Sequence, residues 1–216
     1  RIQAGLYWIG LNIYKKGQSY NESVLCCSGC LSAYRKDDLG KVMDVYVNQK
    51  FLGNNCYASE DRFLTNLINQ KGKKVVYVEN AICYTNVPTT LSKFIKQQLR
   101  WKRGFYREAL YTITYMWKKS KIIYFENLMA SLFTPYLNLS MRILAVYSMI
   151  FKPILFLTIL LPSWILFVVC RDSLLFIRDY KKGIGYLPYL FIYNTLLYPL
   201  NLYAIFITKP EKWGTR

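Results

Sequence analysis

The sequence has no histidine and few acids: 12 Asp and Glu stand against 29 Lys and Arg, a formal net charge of +17. Six cysteines occur (Cys26, Cys27, Cys30, Cys56, Cys83 and Cys170), and "CCSGC" contains one C-x-x-C, a pattern of redox chemistry or of half a zinc site. No second C-x-x-C follows, and no imidazole exists to complete a tetrahedral set. The other reading is reduced thiols in a cytosol-facing domain. No zinc-finger, helix-turn-helix or RNA-binding signature accompanies the charge, so nucleic acid is not the expected partner. There is no initiator Met and no signal peptide before Arg1, and the chain is expected to be part of a longer protein.

What is present is an unusual mixture. Hydrophobic residues make up 53% and aromatics 17% of a chain that is also strongly basic. Such charge attracts polyanions, whether phospholipid or a diphosphate-bearing substrate. The basic residues crowd beside apolar stretches, as they do on the cytoplasmic flanks of membrane proteins. Residues 1–127 read as water-facing and 128–216 as mostly membrane.

Along the chain, Leu6, Ile9 and Ile13 have helical spacing, after which "KKGQSYNES" reads as a turn. "SVLCCSGCLSAYR" predicts a strand, a Ser-Gly turn and a second strand. A short helix and a loop then lead to a helix starting near Asp61, with Ser59 as its N-cap, acids in its first turn and Gly72 as its stop. "KKVVYVENAICYTNV" predicts one or two strands, and residues 89–119 a long helix capped by Thr90 or Ser92. The first 90 residues thus read as the back half of an α/β domain.

Three apolar segments follow. Residues 128–151 are apolar apart from Arg142, 153–170 carry no charge, and 183–208 carry none but are interrupted by Pro188 and Pro199. About 20 apolar residues span a bilayer, so the first two predict a helical hairpin with a turn at Phe151-Lys152-Pro153; buried core helices are the alternative. Arg171, Arg178, Lys181 and Lys182 between the second and third segments place that loop and residues 1–127 in the cytoplasm. Arg142 is costly in lipid, so it either faces protein or a polar channel as a functional residue, or snorkels.

Just before the first apolar segment stands "FIKQQLRWKRGFYREAL", residues 94–110. Gln97, Arg100 and Trp101, at i, i+3 and i+4, share one helix face. A forked cation beside an indole plate and an amide suits an anionic leaving group next to a sugar ring. A basic amphipathic helix lying on head groups would have the same spacing. Lys96, Lys102, Arg103 and Arg107 are expected to face lipid or to attract phosphate without specific roles.

Four stretches, "CCSGCLSAYR", "ASEDRFLTN", "VPTTLSKFIKQQLRWKRGFYRE" and "KWGTR", occur in the order found in the membrane-embedded processive family 2 glycosyltransferases, which the chain resembles from about Tyr7 to Arg216, the hyaluronan synthases most of all. The resemblance implies the following fold: the C-terminal part of a cytoplasmic GT-A domain of α/β class over 1–90, and interfacial amphipathic helices over 91–127. An all-α transmembrane hairpin over 128–170, a cytoplasmic loop over 171–182, a re-entrant or membrane-associated segment over 183–208 and a gating loop over 209–216 would complete it. It implies an integral plasma-membrane enzyme with its catalytic part in the cytoplasm. Its partners would be UDP-sugar donors (UDP-N-acetylglucosamine and UDP-glucuronate), the growing polysaccharide and the lipid bilayer.

Residue by residue, the resemblance makes Asp61 the catalytic base and puts Gln97, Arg100 and Trp101 at the acceptor and diphosphate. Ser28 and Gly29 fall near the acceptor, and Trp213, Gly214, Thr215 and Arg216 in a loop that closes on the nucleotide. Read only as chemistry, Asp61 also suits plain compensation of a helix dipole. The family binds Mg²⁺ or Mn²⁺ with its nucleotide through Asp-x-Asp, which this sequence lacks, so those carboxylates are expected upstream and this stretch is expected to be inactive alone. Cys30 after Ser-Gly, where hyaluronan synthases usually carry Pro, and "SEDR" in place of "GDDR" lean toward chitooligosaccharide synthases, while "WGTR" leans toward hyaluronan.

Overall fold

The computed structural model describes residues 2–51, 53–55, 59–166 and 197–206. In chain order its elements are α1 (Ile2–Ile9), α2 (Lys16–Tyr20), α3 (Lys36–Gly40), α4 (Met43–Val47), β1 (Lys50–Phe51), β2 (Asn54–Asn55), α5 (Glu60–Gln70), α6 (Leu91–Lys119), α7 (Lys121–Leu128), α8 (Thr134–Phe151), α9 (Pro153–Leu155) and α10 (Tyr198–Phe206). Wider π-type turns at Gly10–Lys15 and Met129–Phe133 join α1 to α2 and α7 to α8 without a break. The turn predicted across "KKGQSYNES" therefore begins later: the helix holds through Tyr20, and the chain reverses at Glu22, whose φ is 50°.

The expected strands are the main departure. Among the described residues the only ladder is the antiparallel β1–β2 pair; apart from it there is one isolated parallel bridge, between Ser23 and Val75. The physical reason lies in where the backbone donors of residues 24–29 go. Val24 N–H still bonds Val75, but Leu25 N–H goes to the Gln18 side chain, Cys27 N–H to Thr65 Oγ1 and Gly29 N–H to Asp61. Side chains of neighbouring helices take the bonds that a ladder would use. After Val75, residues 76–87 have no regular secondary structure apart from a turn at Glu79–Asn80 and are mostly exposed.

Helix α5 is the hub. Five successive residues, Thr65 to Asn69, are buried, so it is enclosed on all sides. Leu67 and Ile68 join Val24, Val42 and Val75 in one apolar core, while Leu25, Tyr115, Met116 and Ile123 form a second between α6 and α7. The buried polar members of α5 are partnered: Thr65 Oγ1 accepts from Cys27 N, Asn69 Nδ2 donates to Val24 O, and Asn69 Oδ1 accepts from Lys119 Nζ. Gly72, at φ 71°, ends the helix as expected.

Helix α6 is the long arm against which α5, α7 and α10 pack. Thr90 caps it, its hydroxyl accepting from Lys93 N. Beyond it the chain is helical from Lys121 to Phe151 and breaks at Lys152, where the sequence predicted the Phe151-Lys152-Pro153 turn. Among the described residues no helix is long and apolar enough to cross a membrane. Asn138, Ser140 and Arg142 dilute the apolar run of α8 that predicted the first span. The remainder of the second predicted span beyond residue 166, the loop at 171–182 and most of the third segment lie outside the described residues.

Candidate active site

The predicted triplet lies on α6, and the structure shows what its stripe meets. Positions 97, 100, 101, 104 and 108 follow one another around a single face at helical spacing. At Glu108 that face is buried and bonded to α5, where Asn66 Nδ2 donates to Glu108 Oε2 (3.1 Å), and to the residue before β1, where Gln49 Nε2 donates to Glu108 Oε1 (3.3 Å). Asn66 Oδ1 accepts from Thr112 Oγ1 and from the Tyr115 hydroxyl, so α5 is stitched to α6 along two turns. Burial pushes the Glu108 carboxyl up from its ordinary value, and the Arg107 guanidinium at 2.9 Å opposes that rise.

One turn earlier, the N-terminus of α5 lands on Gly104. Ser59 Oγ stands 1.6 Å from where a Cβ on Gly104 would be, and Ser59 Cβ 2.7 Å from it. Ser59 sits in the left-handed region at φ 62°, ψ 39°, and makes no capping hydrogen bond. The predicted N-cap thus occupies its position without performing the expected task, because its hydroxyl is pressed into α6. Arg62 lies over the Phe105 ring at 5.1 Å, completing the seam.

Two residues after Ser59 comes Asp61. Its Oδ2 accepts from Gly29 N at 3.2 Å and stands 3.8 Å from Cys26 Sγ; its Oδ1 accepts from Arg62 N at 2.7 Å. The Ser28–Gly29 turn and Asp61, singled out separately in the sequence, are therefore in contact. Ser28 Oγ in turn accepts from Lys15 Nζ. The Cys26 thiol is pushed up to about 11 by burial, which leaves it protonated near neutral pH.

Arg100 and Trp101 are exposed one helical turn before Gly104. Trp101 meets Tyr7 of α1 edge-on, with ring centroids 6.0 Å apart at 72°. Gln97 accepts from Gln3 Nε2. Tyr7 also lies close enough to Cys30 and Cys83 for their charges to add to the burial that raises its pKa. A chain of neighbours thus runs from Asp61 through Gly29 and Cys30 to Tyr7 and Trp101. Trp213, Gly214, Thr215 and Arg216 lie outside the described residues.

Several basic residues expected as background have defined places instead. Arg107 is buried beside Glu108 and faces the Phe51 ring at 5.8 Å. Lys102 donates to Asn201 of α10, and Arg103 lies over Tyr203 at 5.6 Å. Lys96 alone of the four is exposed. These three cations are turned inward because Phe51 of β1 and helix α10 meet them there, which local spacing does not disclose. Arg142 faces protein: its guanidinium stacks on Tyr198 at 4.1 Å, and the Tyr198 hydroxyl donates to Pro135 O.

Among the described residues no group of three His, Cys, Asp or Glu side chains could hold a metal ion. These side chains by themselves do not make a site for Mg²⁺ or Mn²⁺. Sequence reasoning passed over Gly104, Tyr7 and Asn66. A glycine in mid-helix, which costs about 1 kcal/mol against alanine, was the one available signal for the first.

A carboxylate at a helix start, steadied by a glycine turn and docked one turn from an exposed Arg-Trp pair, is an arrangement that a sugar-transferring enzyme can use. Residues 11–206 match the model of the glycosyl transferase family group 2, and the chain belongs to that family, whose catalytic domain is of GT-A type. It is 29% identical to hyaluronan synthase 3 of Homo sapiens and of Mus musculus, over 97% of this chain and 37% of theirs. It is 30% identical to hyaluronan synthase 2 of Homo sapiens over the same shares. The chain thus spans 37% of the length of those relatives. It is a family 2 glycosyltransferase sequence related to hyaluronan synthases.

Proposed function

We infer that this chain is the C-terminal part of a processive, inverting glycosyltransferase. It polymerises sugars from UDP-N-acetylglucosamine and UDP-glucuronate into hyaluronan and passes the polymer across a membrane. The observation that carries this reading is the contact of Asp61 with the Ser28–Gly29 turn, on a helix docked one turn from Arg100 and Trp101. In the reaction, Asp61 takes the proton of the acceptor hydroxyl as its oxygen attacks the anomeric carbon. The bond from that carbon to the diphosphate oxygen breaks, and UDP departs with the electron pair. Arg100 forks onto the phosphate oxygens where charge builds up, and Trp101, edged by Tyr7, offers a flat surface to the acceptor ring. A divalent ion bound with the nucleotide would neutralise the diphosphate; its carboxylates must come from residues outside those described.

The apolar exterior of α8 and α9 supports the membrane part of the reading. Ile143, Ile150, Phe151 and Ile154 are each more than 60% exposed. The polar side chains there bond back to their own helix: Asn138 to Thr134 O, Ser140 to Tyr136 O and Ser148 to Leu144 O. Polar groups satisfied within their own helix, on an otherwise apolar surface, suit hydrocarbon surroundings. We assign residues 1–90 to the cytoplasmic catalytic domain, 91–127 to the interface and 128–170 to the membrane. The docking of α10 on α6 favours an interfacial element in the third segment over a simple crossing.

Membranes carrying the full-length protein are expected to incorporate labelled UDP-sugars. Asp61→Asn should lower the rate by about 10²–10⁴ while membrane insertion persists; unaltered incorporation would overturn the base assignment. Cys30 after Ser-Gly favours a second reading, a chitin-type synthase that uses UDP-N-acetylglucosamine alone. A product made without UDP-glucuronate and cut by chitinase but not hyaluronidase would select it.

A further inference from the structure

Gly104 stands in the interior of a 29-residue helix, where alanine is the better helix former. Nothing in the backbone there demands glycine, since its φ is helical. What demands it is Ser59, whose Oγ occupies the place of a Cβ. Ser59 is itself in the left-handed region, at φ 62°, which is strained for a non-glycine residue. Two unfavourable local choices, in segments far apart in sequence, meet at one contact. That contact fixes the N-terminus of α5, hence Asp61, against the stripe that carries Gln97, Arg100 and Trp101.

We propose that the Ser59–Gly104 contact is a positioning device for the transfer reaction: it sets the distance of the Asp61 carboxylate from the Arg100–Trp101 face. Neither residue touches substrate. An added methyl at 104 must push the start of α5 outward, because the obstacle is Ser59 Oγ with its own Cβ at 2.7 Å behind it. The Asn66–Glu108 bonds further along hold α5 in place, so the displacement is greatest at Asp61 and small beyond it. Binding of UDP, which does not need the base, is left in place.

The inference rests on the glycosyltransferase reading above and is tested on the full-length protein in membranes, with labelled UDP-N-acetylglucosamine, with and without UDP-glucuronate. Gly104→Ala is expected to lower kcat by about tenfold to a hundredfold, the scale of a misplacement near 1 Å, with donor KM and UDP affinity within about twofold of wild type. Adding Ser59→Gly removes the obstructing atoms and relieves the positive φ. The double variant should recover the kcat of Ser59→Gly alone. A Gly104→Ala enzyme with full kcat overturns the proposal, and so does a folded double variant as slow as the single one. Should Gly104→Ala not accumulate, the double variant decides: rescue of both yield and kcat supports the contact, and rescue of yield without kcat overturns it. If wild type itself incorporates no sugar, it is the functional reading that fails, and the same variants can still be compared by UDP affinity and by protease cleavage ahead of α5. Easier cleavage in Gly104→Ala that Ser59→Gly reverses supports the contact, and equal cleavage overturns it.

Discussion

Lys102 carries its ammonium group half-buried between α6 and α10, bonded to Asn201, and burial brings its pKa down to about 8. An unfolded lysine titrates at about 10.4. Between those values the unfolded chain holds a proton that the folded chain has lost, so stability from this residue rises with pH across the window. Below about pH 8 both states are protonated and the buried charge is a standing cost. The Tm difference between wild type and Lys102→Met, measured in detergent from about pH 7 to pH 10, should therefore shift in favour of wild type as pH rises. A flat difference would mean that the ammonium is solvated in the folded protein. At the same scale, Asp61 shows how a residue's setting differs from its type: the carboxylate that would serve as simple dipole compensation also receives the Gly29 amide from a segment 32 residues away.

Among the elements, α5 depends most on polar bonds for its place. Asn66 is fully buried, donates to Glu108, and accepts from Thr112 and Tyr115. Asn66→Ala removes all of these at once and leaves the buried Glu108 carboxylate with fewer donors. The expected loss is about 2–3 kcal/mol, read as a lower Tm or denaturant midpoint of the full-length protein in detergent. The C-terminal end is held differently, by Lys119, which donates to Asn69 Oδ1 and to the carbonyls of Glu22 and Lys73. Capping and stopping of helices were legible in the sequence, because Thr90, Gly72 and the Lys152-Pro153 break act within a few residues of themselves. The strands were not. "SVLCCSG" has strand composition at its start, yet the backbone donors of Leu25, Cys27 and Gly29 are claimed by Gln18, Thr65 and Asp61, which only the packed structure brings near.

At the scale of the whole molecule, two surfaces contrast. Helices α5 and α6 are joined by a partnered polar seam, while α8 and α9 present apolar side chains outward, from Leu137 through Ile150 to Ile154. On a water-facing protein so large an apolar area calls for a cover. The full-length protein is expected to stay with the lipid fraction through high-salt and alkaline washes and to leave it only with detergent. Release by salt alone would assign the attachment to the basic residues and not to α8.

The sequence by itself determined the family, the helix-bounding signals and the candidate residues Asp61, Gln97, Arg100 and Trp101, because motif order and helical periodicity are written in neighbouring positions. The tertiary structure decided which of those residues meet: Asp61 with Gly29, Trp101 with Tyr7, and Ser59 with Gly104. It also turned Arg107, Lys102 and Arg103 inward, against the expectation of an outward basic face. The reason is common to all of these. A helix face can be read from spacing, but what covers it depends on segments distant in the chain, whose approach is set by close packing and by the need of every buried polar group for a partner.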